Sequence, residues 1–110
     1  MALYMSQVAY TPAHLAALTK DPQDRTEAIS AVAQKMGCRL VSFYYSMGEY
    51  DGLVIIEAPN ETAITAVLLA AIGAGHIRAS NTTQLLAPND AVEAMRQAGA
   101  AAFMAPGGSR

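Results

Sequence analysis

Along the chain the spacing of apolar positions changes segment by segment, and each change marks an expected element. LYMSQVAY, 3 to 10, reads as a strand with apolar residues in both phases. Thr11 then offers an N-cap with Pro12 at the first helical position, which predicts a short helix, PAHLAALT, stopping at Lys20. Asp21-Pro22 repeats that start signal. Ile29, Val32, Ala33 and Met36 follow at i, i+3, i+4 and i+7, the stripe of a helix facing a core, and Gly37 is placed to end it as a C′ glycine. CRLVSFYYSM, 38 to 47, groups aromatic and β-branched residues into a second strand, and LVIIEA, 53 to 58, is a third. GEYDG between them suits a hairpin. Pro59 closes that strand and Asn60 caps a helix in which Ile64, Val67, Leu68, Ala71 and Ile72 share one stripe, until Gly73 and Gly75 break it. HIRASNTTQLL, 76 to 86, alternates weakly and is the expected fourth strand. Pro88-Asn89-Asp90 opens a last helix to about Ala98.

The order β-α-β-β-α-β with an extra C-terminal helix predicts an α+β, ferredoxin-like sandwich. It has a four-stranded antiparallel sheet with the main helices on one face. A single domain over 1–100 and a flexible tail over 101–110 follow. LVIIEA shows no polar alternation, and a strand apolar on both faces calls for cover on both. A second subunit packed sheet against sheet, making a homodimer or larger assembly, is the economical cover.

Composition supports that expectation. Hydrophobic residues make up 53% of the 110 and charged residues 15%, more apolar surface than a small monomer readily hides. The net charge of −2, with no basic run, leaves nucleic-acid binding without an electrostatic footprint. The one cysteine, Cys38, suits a reducing compartment and a small buried role. MALYMSQVAY does not read as a leader, and AITAVLLAAIGAG, 63 to 75, falls short of the ~20 residues of a membrane span. A cytoplasmic protein without membrane contact is the expectation. Gly73 and Gly75 are followed by no Lys-Ser or Lys-Thr, so they make no phosphate loop. Glu57 lacks an acidic partner for paired-carboxylate hydrolysis.

FYYSMGEYDGLVIIEAPNE resembles the signature region of the GYD-domain family, whose Gly-x-Tyr-Asp pattern falls here on Gly48, Tyr50 and Asp51. The resemblance continues through the strand ending Tyr10-Thr11, the DPQDR helix start and GHIRASNTT. Members often carry a tryptophan where this chain has Tyr10. The resemblance implies a dimeric α+β barrel and neither a particular activity nor a cofactor. The wider fold group includes cofactor-independent monooxygenases, lactone isomerases, haem-degrading enzymes and effector-binding modules.

The topology also predicts where a site lies. Tyr10, His14, Tyr50, Asp51 and His76 all belong at the end of the sheet where the first strand finishes, and Cys38 at the other end. Asp51 accepting a proton from His14 or His76 would make the other ring nitrogen a better base. Tyr10, Tyr44 or Tyr50 would then hold a small apolar or aromatic ligand. Against this stands a turn in which Gly48 takes a positive φ and Asp51-Gly52 is a structural dipeptide. Two histidines and a carboxylate could bind a divalent metal, but no HxH or HxxxH spacing supports it, so no metal is expected. Two functions remain open: an oligomeric small-ligand-binding or assembly module, and a cofactor-independent oxygenase or isomerase built on the Asp/His/Tyr cluster.

Overall fold

The computed structural model describes residues 1–101 and 106–107. Its elements run β1 (Ala2–Tyr10), α1 (Pro12–Lys20), α2 (Thr26–Lys35), β2 (Arg39–Tyr45), β3 (Gly52–Ala58), α3 (Glu61–Gly73), β4 (Ile77–Leu85) and α4 (Pro88–Ala100). The sheet order is β2-β3-β1-β4 with every neighbouring pair antiparallel, the α+β ferredoxin-like arrangement. The expected tail lies for the most part outside the described residues.

Local chemistry sets the boundaries. The Thr11 hydroxyl accepts from the His14 N–H at 3.1 Å, and Asn60 Oδ1 accepts from the Ala63 N–H at 2.9 Å, capping α1 and α3. Both α2 and α3 end in Schellman motifs. Gly37 (φ 73°) donates to Gln34 O while Cys38 donates to Ala33 O. Gly75 (φ 80°) donates to Ile72 O while His76 donates to Ala71 O. The Asp21-Pro22 start signal is not used. Asp21 caps the C-terminal end of α1 instead, and α2 begins only at Thr26, whose N–H donates to Asp24 Oδ1 at 2.9 Å. A local Asp-to-backbone turn outcompetes the proline as the helix start.

The core lies between the sheet and α2 and α3. Tyr4, Val54, Ile56 and Ala58 meet Ala33, Cys38, Ile64 and Val67, and Ile56 is 1% exposed. Burial of a side chain of that size contributes roughly 1.5–3 kcal/mol. Ser6, the one polar residue of the buried set among the described residues, is satisfied by the Thr82 hydroxyl at 2.9 Å. Of the stripe expected on α3, Ile64 and Val67 are buried and Leu68 and Ala71 half-buried, whereas Ile72, in the last turn, is 43% exposed.

On the other face of the sheet Leu3, Met5, Leu53 and Ile55 are half-exposed, so within one chain β3 is buried on one side only. The last helix does not cover that face, since α4 buries none of its residues. The molecule measures 63 × 28 × 22 Å, with a radius of gyration of 18.3 Å against the ~13 Å of a compact domain of about 100 residues. Among the described residues no helix is long and apolar enough to cross a membrane.

Candidate functional site

Thr11 positions both histidines. Its N–H donates to His76 O at 3.0 Å and its hydroxyl donates to Gly75 O at 2.7 Å while accepting from His14 N–H. One residue thus ties the end of β1 and the start of α1 to the turn between α3 and β4. As a result the two imidazoles stack, with ring centroids 4.2 Å apart, and the Tyr10 ring meets His14 edge-on at 4.8 Å. Tyr45 lies 6.5 Å from Tyr10, and Phe43 4.8 Å from Tyr45, continuing the aromatic row along β2.

Behind this row a cavity of about 100 Å³ lies between sheet and helices, walled by Val8, Ile29, Phe43, Val54, Val67 and Leu68 among others. Tyr10, His14, Arg25 and His76 bring polar atoms to it. Burial first, then the neighbouring His76 and Arg25, hold the His14 imidazole below its ordinary range. Burial first, then Tyr45 and Asp51, push the Tyr10 phenol up to about 12, with Arg25 opposing. Tyr10 therefore stays a neutral donor at physiological pH, and His14 is biased toward the neutral imidazole.

Asp51 is engaged elsewhere. Its Oδ2 accepts from the Tyr10 backbone N–H at 2.8 Å, at the point where the β1–β4 register shifts between Ala9 and Tyr10. Its own N–H donates to Val8 O, and its carbonyl accepts from the Ser46 N–H, both at 2.8 Å. The carboxylate thus satisfies an amide that lies just beyond the last pair of the β1–β3 ladder, Val8 and Gly52. No hydrogen bond joins Asp51 to either imidazole among the described residues, so the expected proton relay is not made. Gly52 answers to Tyr10 as well. A Cβ there would stand 2.6 Å from the Tyr10 hydroxyl oxygen, so only glycine admits the ring at this approach. Gly48 differs from the expectation, because its φ is not positive and a Cβ there would meet nothing within 4 Å. The turn is closed by Ser46 instead, whose hydroxyl donates to Tyr50 O at 2.7 Å.

The candidates therefore divide. Tyr10, His14 and His76 come together on the helix side. Tyr50 borders a separate open groove of about 410 Å³ with Gln7, Glu49 and Asn81, and Gln7 and Asn81 pair across the uncovered face. Tyr44 is 64% exposed and points away from the helices. Cys38 is buried at the far end of β2, where burial pushes its thiol up. Arg25 and Tyr45 were not among the expected residues. The phase of β2 would have shown Tyr45, had the register shift between Leu40 and Ser42 been visible. Arg25 comes to the site because α2 starts late, for which the sequence carried only the local Asp24-Thr26 signal. No group of three or more His, Cys, Asp or Glu side chains placed to hold a metal ion occurs among the described residues.

Comparison with solved structures finds the same fold at low identity. FFRP-DM1 aligns with a TM-score of 0.50 and 14% identity, over 78% of this chain and 100% of that one. A transcriptional regulator from Neisseria meningitidis, solved with L-Met, gives 0.49 and 15% over 79% of this chain. The match spans about half of that regulator, 51% of its length. A NIPSNAP domain protein from Burkholderia xenovorans gives 0.42 and 12%, over 79% of this chain and 94% of that one. No curated protein matches the sequence. The GYD domain profile matches residues 4–95, most of the chain and all of its sheet but the first two residues. On that match the chain belongs to the GYD domain family.

Proposed function

We propose that the protein is a homodimeric small-ligand-binding module. The observation that carries this is the apolar cavity between sheet and helices, opening beside Tyr10, His14, Arg25 and His76. Pockets for small molecules are concave and mostly apolar, with a few polar groups at one end to fix orientation, and this one has that construction. Binding is favoured over oxygenase or isomerase chemistry by where the polar groups are used. The Asp51 carboxylate serves the Tyr10 backbone amide rather than an imidazole, so it activates neither histidine as a base.

The dimer reading rests on the other face. Leu3, Met5, Leu53 and Ile55 form an apolar centre on the sheet, and at one margin Arg39 Nη2 meets Glu57 Oε2 at 3.5 Å. An apolar centre with a charged margin is the pattern of an interface between like subunits. Neither α4 nor any other described helix covers it. A second copy placed sheet to sheet removes that surface from water and leaves the cavity on the outer side of each subunit.

Native mass spectrometry of the purified protein tests both parts. The expected result is a dimer mass, with small-molecule adducts appearing when apolar compounds are added. A monomer that takes up none of them contradicts the proposal.

A further inference from the structure

Three depressions meet at two side chains. The apolar cavity is one. The second is an open trough of about 470 Å³ along α1, bordered by His14, Leu18, Lys20 and Asp21, and the third is a groove of about 180 Å³ between α2 and α3. Arg25 and His76 border all three. Among the described residues Arg25 is the one permanently charged side chain in the cavity lining, and no carboxylate lines it. Arg25 Nη1 donates to Gln23 Oε1 at 3.1 Å, and the guanidinium forms no salt bridge among the described residues. Its remaining N–H groups are therefore available. On the trough rim Lys20 and Asp21 carry opposite charges, and Asp21 Oδ2 already accepts from Gln23 Nε2 at 3.0 Å.

An unpaired guanidinium beside an apolar cavity matches a ligand with an anionic head and a short apolar tail. Planar N–H groups suit a carboxylate. A volume of about 100 Å³ has room for three or four water-sized groups, at about 30 Å³ each, and so for the end of a short alkyl chain. We propose that the cleft takes a small monocarboxylate, its head on Arg25 beside the stacked His14 and His76, and its tail among Ile29, Phe43, Val67 and Leu68. This rests on the ligand-binding reading above and adds the charge and size of the ligand.

Calorimetric titration with hexanoate and with 1-hexanol separates the two. The expected result is that hexanoate binds at least about tenfold more tightly than 1-hexanol, the gain of a charge-assisted hydrogen bond. Arg25→Gln should abolish that preference while leaving 1-hexanol binding unchanged, and Arg25→Lys should keep much of it. The Arg25 side chain makes no helix-cap hydrogen bond, so these variants should fold as the parent does, which a melting curve checks. Equal affinity for the two compounds, or hexanoate binding indifferent to Arg25→Gln, overturns the carboxylate proposal and leaves the binding module standing. Failure of both compounds to bind the parent protein removes both.

Discussion

Strand β3 turns Val54, Ile56 and Ala58 toward the helices and Leu53, Ile55 and Glu57 to the other side. The first three are 8%, 1% and 0% exposed, whereas the second three are half-exposed. On the helix side α2 and α3 complete the burial within the chain, but the cover is not seamless. The space left beside Phe43, Val67 and Leu68 is the cavity. The opposite face has apolar residues at its centre and no cover of its own. The helix face is therefore finished and hollow, the outer face unfinished and solid. The proposed function assigns the hollow face to a small molecule and the unfinished one to a second subunit.

The largest expected effect lies on the finished face. Ile56→Ala should cost about 2–5 kcal/mol, the range for deleting a fully buried branched side chain, read as a loss of urea midpoint. Ile55→Glu, one residue away on the other face, should convert the proposed dimer to monomer in light scattering. Burying a lone carboxylate in the interface would cost about 2–3 kcal/mol or more. If the chain is monomeric, that substitution should instead stay within about 0.5 kcal/mol, as exposed changes do. Two glycines of the hairpin sharpen the contrast on a smaller scale. Gly52→Ala drives a methyl against the Tyr10 hydroxyl oxygen and should cost about 1–3 kcal/mol of overpacking. Gly48→Ala meets open space without positive φ and should change the melting temperature little.

The smallest effect is a pH dependence. The His14 imidazole is held below its ordinary range in the folded state, so between that lowered value and about 6.5 the unfolded chain binds more protons. Stability should therefore rise with pH through that window and be lost progressively on acidification below about 6.5. His14→Gln should flatten this part of the profile. A parent profile that is already flat there would argue against burial and neighbouring charge at His14.

Much of this arrangement was legible in the sequence because local signals and long-range needs agree. Thr11-Pro12, Asn60, Gly37 and Gly75 mark helix ends by chemistry that acts within a few residues, and the apolar runs place the strands. The convergence of Tyr10, His14 and His76 followed from strand direction alone. What stayed hidden depends on offsets that residue types do not announce. The register shift between Leu40 and Ser42 decides which of Tyr44 and Tyr45 faces the helices. The β1–β3 ladder ends at Val8 and Gly52, and the Tyr10 amide just beyond it occupies Asp51. The late start of α2 brings Arg25 to the mouth of the cavity. Tyr50 lies at the expected end of the sheet but borders a groove on its other face, because a pole has two sides and chain direction specifies only the end.

The most direct measurement is a titration of methyl-labelled protein with 1-hexanol, followed by NMR. The prediction is that Ile29, Val67 and Leu68 methyl signals shift together and saturate, while those of Leu3, Leu53 and Ile55 on the opposite face stay in place. Unmoved cavity methyls, or shifts confined to the Leu53 and Ile55 face, would contradict a binding site between sheet and helices.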